Sequence, residues 1–170
     1  MKTKLFFFLT ISAFVANAQT PSKTTSAPAT TAPTVIVPYG TSISLENAKK
    51  IVVAAEAFAV SKQYTVAIAI VDTGGNLVLL EKMDNTQVAS IDVAMGKAKT
   101  ANNFKRPTKA LEDALANGGA GLRILSLPVY PLEGGEPIYS DGKIIGAIGV
   151  SGMTSCQDLE VVKAGLAVFK

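Results

Sequence analysis

The chain has 170 residues, 48% of them hydrophobic, with 16 Lys and Arg against 13 Asp and Glu, one cysteine and no histidine. Without histidine it lacks the usual general base and the commonest metal ligand, and one cysteine permits no disulfide within the chain. Lys2, Lys4 and Lys23 precede residue 41 and every acidic residue follows it. The remainder is therefore electrically balanced, which argues against nucleic acid as a partner and against electrostatic membrane docking.

In chain order, Lys2 and Lys4 precede the apolar run Leu5 to Val15, and Ala16-Asn17-Ala18 follows as a small-x-small cleavage signal. Residues 1–18 thus read as a signal peptide, too short in its apolar part to span a bilayer, and the mature chain is expected to be exported, to the periplasm or outside the cell. Residues 19–40, rich in Thr, Pro, Ala and Ser, read as a solvated, disordered linker. Residues 41–170 form one domain's length.

Ser44 reads as the N-cap of a helix to about Gln63, with Ala48, Ile51, Val52, Ala55, Ala59 and Val60 at helical spacing. Thr65 to Val71 is a strand by its β-branched density, Asp72 to Asn76 a turn, and Leu77 to Lys82 the returning strand. Ser90 to about Phe104 is helical, and Pro107 interrupts before a short helix that begins at Thr108, the expected N-cap. Leu122 to Leu127 is an expected extra strand. Asp141-Gly142 joins Pro137–Ser140 to Lys143–Val150 as a hairpin. Ser155-x-x-Asp158 resembles a capping box ahead of a terminal amphipathic helix. Together these elements predict an α+β domain with one central antiparallel sheet of about five strands covered by helices.

The stretch GGEPIYSDGKIIGAIGVSG, residues 134–152, places Gly146 and Gly149 inside a strand and not ahead of a helix, so it is no phosphate cradle. Glycine within a strand marks a bulge or a close approach by another group. Glycine-rich strands bury little side chain of their own, so this face is expected to meet a helix, another subunit or a ligand, and room for a partner molecule beside this strand is the expectation that bears most on function.

The joint order of several fragments resembles the GlcG/HbpS-like family of haem-binding proteins. They are Val71-Asp72-x-Gly74-Gly75-x-Leu77-Val78, Met83-Asp84, Lys97-Ala98-x-Thr100-Ala101, Phe104-x-Arg106-Pro107-Thr108, Gly134-Gly135-x-Pro137-Ile138 and Gly146 to Gly152, with Asp158 and Ala164-Gly165-Leu166 last. The likeness also extends to the C-terminal part of PduO-type cobalamin adenosyltransferases. It implies a profilin-like or PAS-like fold, a homo-oligomer such as an octamer, and haem or a related planar tetrapyrrole as ligand and cofactor. With no histidine, an axial ligand would come from Tyr39, Tyr64, Tyr130, Tyr139, Met83, Met95, Met153 or Cys156.

The candidate haem-binding residues are Met95, Lys97, Thr100, Phe104, Arg106 and Thr108, with Lys97 and Arg106 as cations for propionates beside two hydroxyls. As plain structure the same segment is a helix face and a helix start. Met83 and Met95 double as core filling, and Cys156 reads as a small buried hydrophobe near a helix start. Glu133 and Glu136 flank a glycine pair, which suits a charged turn, a paired acid and base or a cation site. No catalytic or metal-ligating residue is assigned. Three function classes follow: an exported haem-binding protein that scavenges or senses haem, an enzyme degrading haem or acting on a small carboxylate-bearing molecule, and an oligomeric structural module without haem.

Overall fold

The computed structural model describes residues 37–169. The expected signal peptide and residues 19–36 of the expected linker lie outside the described residues.

Helix α1 (Leu45–Ser61) starts at Ser44, whose hydroxyl accepts the Asn47 N–H at 3.2 Å. The hairpin β1 (Ala67–Val71) and β2 (Leu77–Lys82) turns at Asp72, whose carboxylate accepts the Asn76 N–H at 2.8 Å and so closes the loop. Helix α2 (Ser90–Phe104) ends at Lys105 in the left-handed region, and α3 (Thr108–Ala116) follows. The hairpin β3 (Gly135–Ser140) and β4 (Lys143–Ser151) turns at Asp141 and Gly142, with φ of 48° and 72°. Two consecutive left-handed residues make the tight turn that matches strand twist, and glycine accepts that conformation without strain. Helix α4 (Ser155–Ala167) closes the chain.

The sheet has four strands in the order β2-β1-β4-β3, every neighbouring pair antiparallel. The expected fifth strand is absent. Residues 119–126 instead form a 3₁₀ helix, bonded from Gly121 N–H to Gly118 and from Leu127 N–H to Ile124. The segment folds back on α3, and Gly121 permits the close approach, since a Cβ there would stand 1.8 Å from the Ala114 carbonyl. Beyond the end of β1, a strap from Pro38 to Ile43 takes the vacant place beside β4. Ile144 N–H donates to Pro38, while Gly40 and Ile43 donate to Ile144 and Ile145. Backbone belonging to the domain therefore begins at least as early as Pro38.

Period-two alternation assigns the faces. Ile68, Ile70, Ile148 and Val150 pack with Ile51, Val52 and Ala55 of α1 and with Val161 and Val162 of α4. The opposite face of β1 and β4 carries Ala67, Ala69, Val71, Ala147, Gly149 and Ser151, met by Ala94, Ala98 and Ala101 of α2. Small residues on both sides bring α2 almost onto the sheet. A Cβ on Gly149 would lie 2.1 Å from the Ala94 carbonyl oxygen and 2.5 Å from the Ala98 nitrogen. This corrects the central expectation about the glycine-rich strand. The space at Gly149 is filled by α2 and that at Gly146 by the Val71 carbonyl and Ile43, so no room for a ligand or subunit is left at either glycine.

Candidate ligand-binding site

Lys97 points inward from α2. Its Nζ lies 2.8 Å from Asp158 Oδ2 and donates to the Val150 carbonyl at 3.0 Å, and both charged side chains are 2% exposed. Asp158 Oδ1 accepts the Met153 N–H at 3.0 Å. Burial pushes the Asp158 carboxyl up, opposed by the Lys97 charge and by these hydrogen bonds. Asp158 was expected to finish a capping box, but the box lies one residue earlier, with Thr154 and Gln157 as its reciprocal partners. That shift releases Asp158 to face the core. Lys97 is therefore an internal tie between α2, β4 and the start of α4 and not a surface cation for carboxylates.

Two more candidates are also spent on holding the loop before β3. Thr108, buried, accepts the Gly135 N–H at 3.0 Å, so it does not cap α3, whose N-cap is Pro107. Thr100, buried as well, accepts the Tyr130 N–H at 2.9 Å. The Tyr130 ring lies on Gly96, where a Cβ would stand 2.3 Å from it. Glu133 N–H donates to Glu112 Oε2 at 2.6 Å. Glu136 is half-buried, and burial raises its carboxyl, with Lys163 pulling it down and Glu133 adding to the rise.

The outside of this braced loop is apolar. Leu122, Leu125, Leu127, Tyr130 and Leu132 are all exposed, Leu125 by 68%, and the 3₁₀ helix buries none of its residues. Arg123 stands exposed within the same ridge. Arg106 is also exposed, its Nε donating to the Phe104 carbonyl at 3.0 Å, and it joins no ion pair among the described residues. Phe104 and Met95 are partly buried, and Met95 packs on the alanine layer between α2 and the sheet. Sequence reasoning missed the ridge because it took Leu122 to Leu127 for a strand.

Among the possible donors to iron, Tyr39 and Tyr64 use their hydroxyls on Asn102 and Glu160, and Met83 packs against the core. Tyr130, Tyr139, Met153 and Cys156 are exposed. Cys156 was expected to be buried. It lies on the outer side of the first turn of α4, its Sγ 3.3 Å from the Thr154 hydroxyl. No group of three or more His, Cys, Asp or Glu placed to hold a metal ion occurs among the described residues. Among the described residues, hollows also lie away from this loop. One of about 330 Å³ runs along the strap between Asn47 and Lys143, and one of about 610 Å³ runs along the outer face of α1.

An antiparallel sheet carrying one helix on an alanine layer and two helices on its other face defines an α+β domain. The family described as haem-degrading protein HbpS-like matches residues 43–167, and the chain belongs to it. It is 39% identical over 109 residues to protein GlcG of Escherichia coli K12, covering 64% of this chain and 81% of that one. The fold is similar to a crystallised double mutant of HbpS from Streptomyces reticuli, with a TM-score of 0.71 at 30% identity, covering 85% of this chain and 98% of that one. It is likewise similar to a protein crystallised as a PduOC:haem complex, with a TM-score of 0.70 at 27% identity, covering 76% and 96%.

Proposed function

We propose that this chain is an exported haem-binding protein that scavenges or senses haem and works as a homo-oligomer. The observation that carries this reading is the shared fold with a protein solved in complex with haem, over 96% of that protein. The surface chemistry supports it. A flat tetrapyrrole needs apolar contact and cations for its propionates, and the ridge from Leu122 to Leu132 offers the first while Arg123 within it offers a cation, with Arg106 a further exposed arginine on the chain. Lys97, Thr100 and Thr108 serve the site from beneath by holding its loop.

A histidine-ligated iron does not fit this chain, which has none. The exposed Met153, Cys156, Tyr130 and Tyr139 are the side chains left to reach the metal. Haem, when bound, supplies the redox-active iron, and the protein supplies the apolar bed and the counter-charges. Export is supported by the order of charge, apolar run and Ala-x-Ala in residues 1–18. Self-association is supported by the exposed leucines, an apolar strip of the kind that marks interaction surfaces.

Titration of the purified chain with hemin tests the reading: a saturable Soret shift is expected, and an unchanged free-hemin spectrum would refute it. The family's description favours one second reading, haem degradation. Loss of haem absorbance under reductant and oxygen, dependent on Arg106, separates degradation from binding.

A further inference from the structure

The outer face of α1 carries a stripe that serves nothing in the fold. Glu46, Val53 and Val60 recur every seven residues along it, Val53 and Val60 are 62% and 58% exposed, and Ala57 is exposed beside them. Val168 extends the apolar surface from the end of α4, and Glu46, Val53, Ala54, Ala57 and Val168 line a groove of about 610 Å³ with Lys49 and Lys50. Seven-residue spacing is the repeat that packs one helix along another.

The charges beside the stripe are arranged for a particular neighbour. Lys49 and Glu56 lie on the same flank, seven residues apart, before and after Val53. Lys50 is taken by Glu46 at 2.7 Å, whereas neither Lys49 nor Glu56 forms an ion pair among the described residues. Glu56 instead faces Glu81 of β2, and burial together with this like charge pushes the Glu81 carboxyl up. A cation arriving at Glu56 from outside would relieve that repulsion.

We propose that α1 is a self-association surface that packs antiparallel against α1 of a second copy about a two-fold axis at Val53. That symmetry sets Val53 on its own mate and brings Lys49 of each copy to Glu56 of the other, two ion pairs around an apolar centre. The small Ala54 and Ala57 beside Val53 let the helix axes approach to about 8 Å, the close end of the usual range. The inference rests on the self-association in the reading above and is independent of haem.

Charge exchange tests it, with mass followed by analytical ultracentrifugation. Lys49→Glu and Glu56→Lys should each weaken assembly about tenfold, by turning two attractions into two repulsions. The double variant should restore the wild-type mass, an outcome that general damage to the fold does not produce. In a Cys156→Ser background, Val53→Cys should form a disulfide-linked dimer on oxidation. Single charge variants with wild-type mass, a double variant that stays dissociated, no crosslinking at position 53 or a monomeric wild-type chain would each overturn the proposal. Hemin titration of the same variants reports the haem reading separately, so loss of one reading leaves the other measurable.

Discussion

Lys97 Nζ and Asp158 Oδ2 lie 2.8 Å apart, both side chains 2% exposed, and join the middle of α2 to the first turn of α4 across the end of β4. The pair sits under Gly134, where a Cβ would stand 2.9 Å from the Asp158 Cβ and 3.0 Å from Lys97 Nζ. The loop that carries the apolar ridge is therefore laid directly over a buried charge pair.

Removing one partner leaves the other charged and buried. Lys97→Met is expected to destabilise the domain by about 3–5 kcal/mol, and Lys97→Met with Asp158→Leu to recover most of that loss. Urea denaturation of the three chains measures it. Equal loss in the single and double variants would show that the pair is not what holds the loop.

Gly149 and Gly142 should respond very differently to alanine. At Gly149 the new methyl meets the Ala94 carbonyl at 2.1 Å, which forces α2 away from the sheet and costs about 3 kcal/mol or more. At Gly142 a Cβ meets nothing within 4 Å, and only the left-handed φ of 72° is penalised, by about 1 kcal/mol. Thermal melts separate the two. A mild effect at Gly149 would mean that space is left beside that strand after all.

Glu136 predicts a pH dependence. Burial and Glu133 raise its carboxyl above the ordinary value of 4.5, against the pull of Lys163. An acid whose folded-state pKa is raised binds its proton more tightly when folded. Its stabilisation is therefore complete below the unfolded pKa and is lost as pH rises through the folded one. Stability should fall as pH climbs upward from about 4.5, and Glu136→Gln should flatten that part of the profile. An unchanged slope of melting temperature against pH in the variant would contradict the assignment.

The ridge should matter for ligand and not for folding. Leu125→Asp, at a residue 68% exposed, is expected to shift stability by no more than about 0.5 kcal/mol while weakening hemin binding. Arg106→Ala should weaken hemin binding about tenfold through loss of a charge-assisted contact. Hemin titrations with wild-type affinity in both variants would place the ligand elsewhere.

Local chemistry made much of the fold legible in the sequence. Ser44 caps because its hydroxyl reaches its own helix three residues on, and Asp141-Gly142 turns because two adjacent residues there sit at positive φ. Asp72 closes its loop onto Asn76 four residues away. Leu122 to Leu127 misled because an apolar run is compatible with a strand or with a tight helix. The packing of Gly121 against Ala114 of α3 is a tertiary contact, which periodicity does not register. The candidate site was legible as a segment but not as a set of roles, since Lys97, Thr100 and Thr108 look like surface polar groups until their partners are seen.

What the sequence determined by itself is whatever depends on neighbours within a few residues: helix starts, turn types, the alternation of faces and the order of motifs that places the chain in its family. The tertiary structure alone decided which distant groups meet: Lys97 with Asp158, Gly149 with the backbone of α2, and the strap with β4. Those contacts join residues tens of positions apart, and no local preference records them, because burial and pairing exist only once the layers have closed.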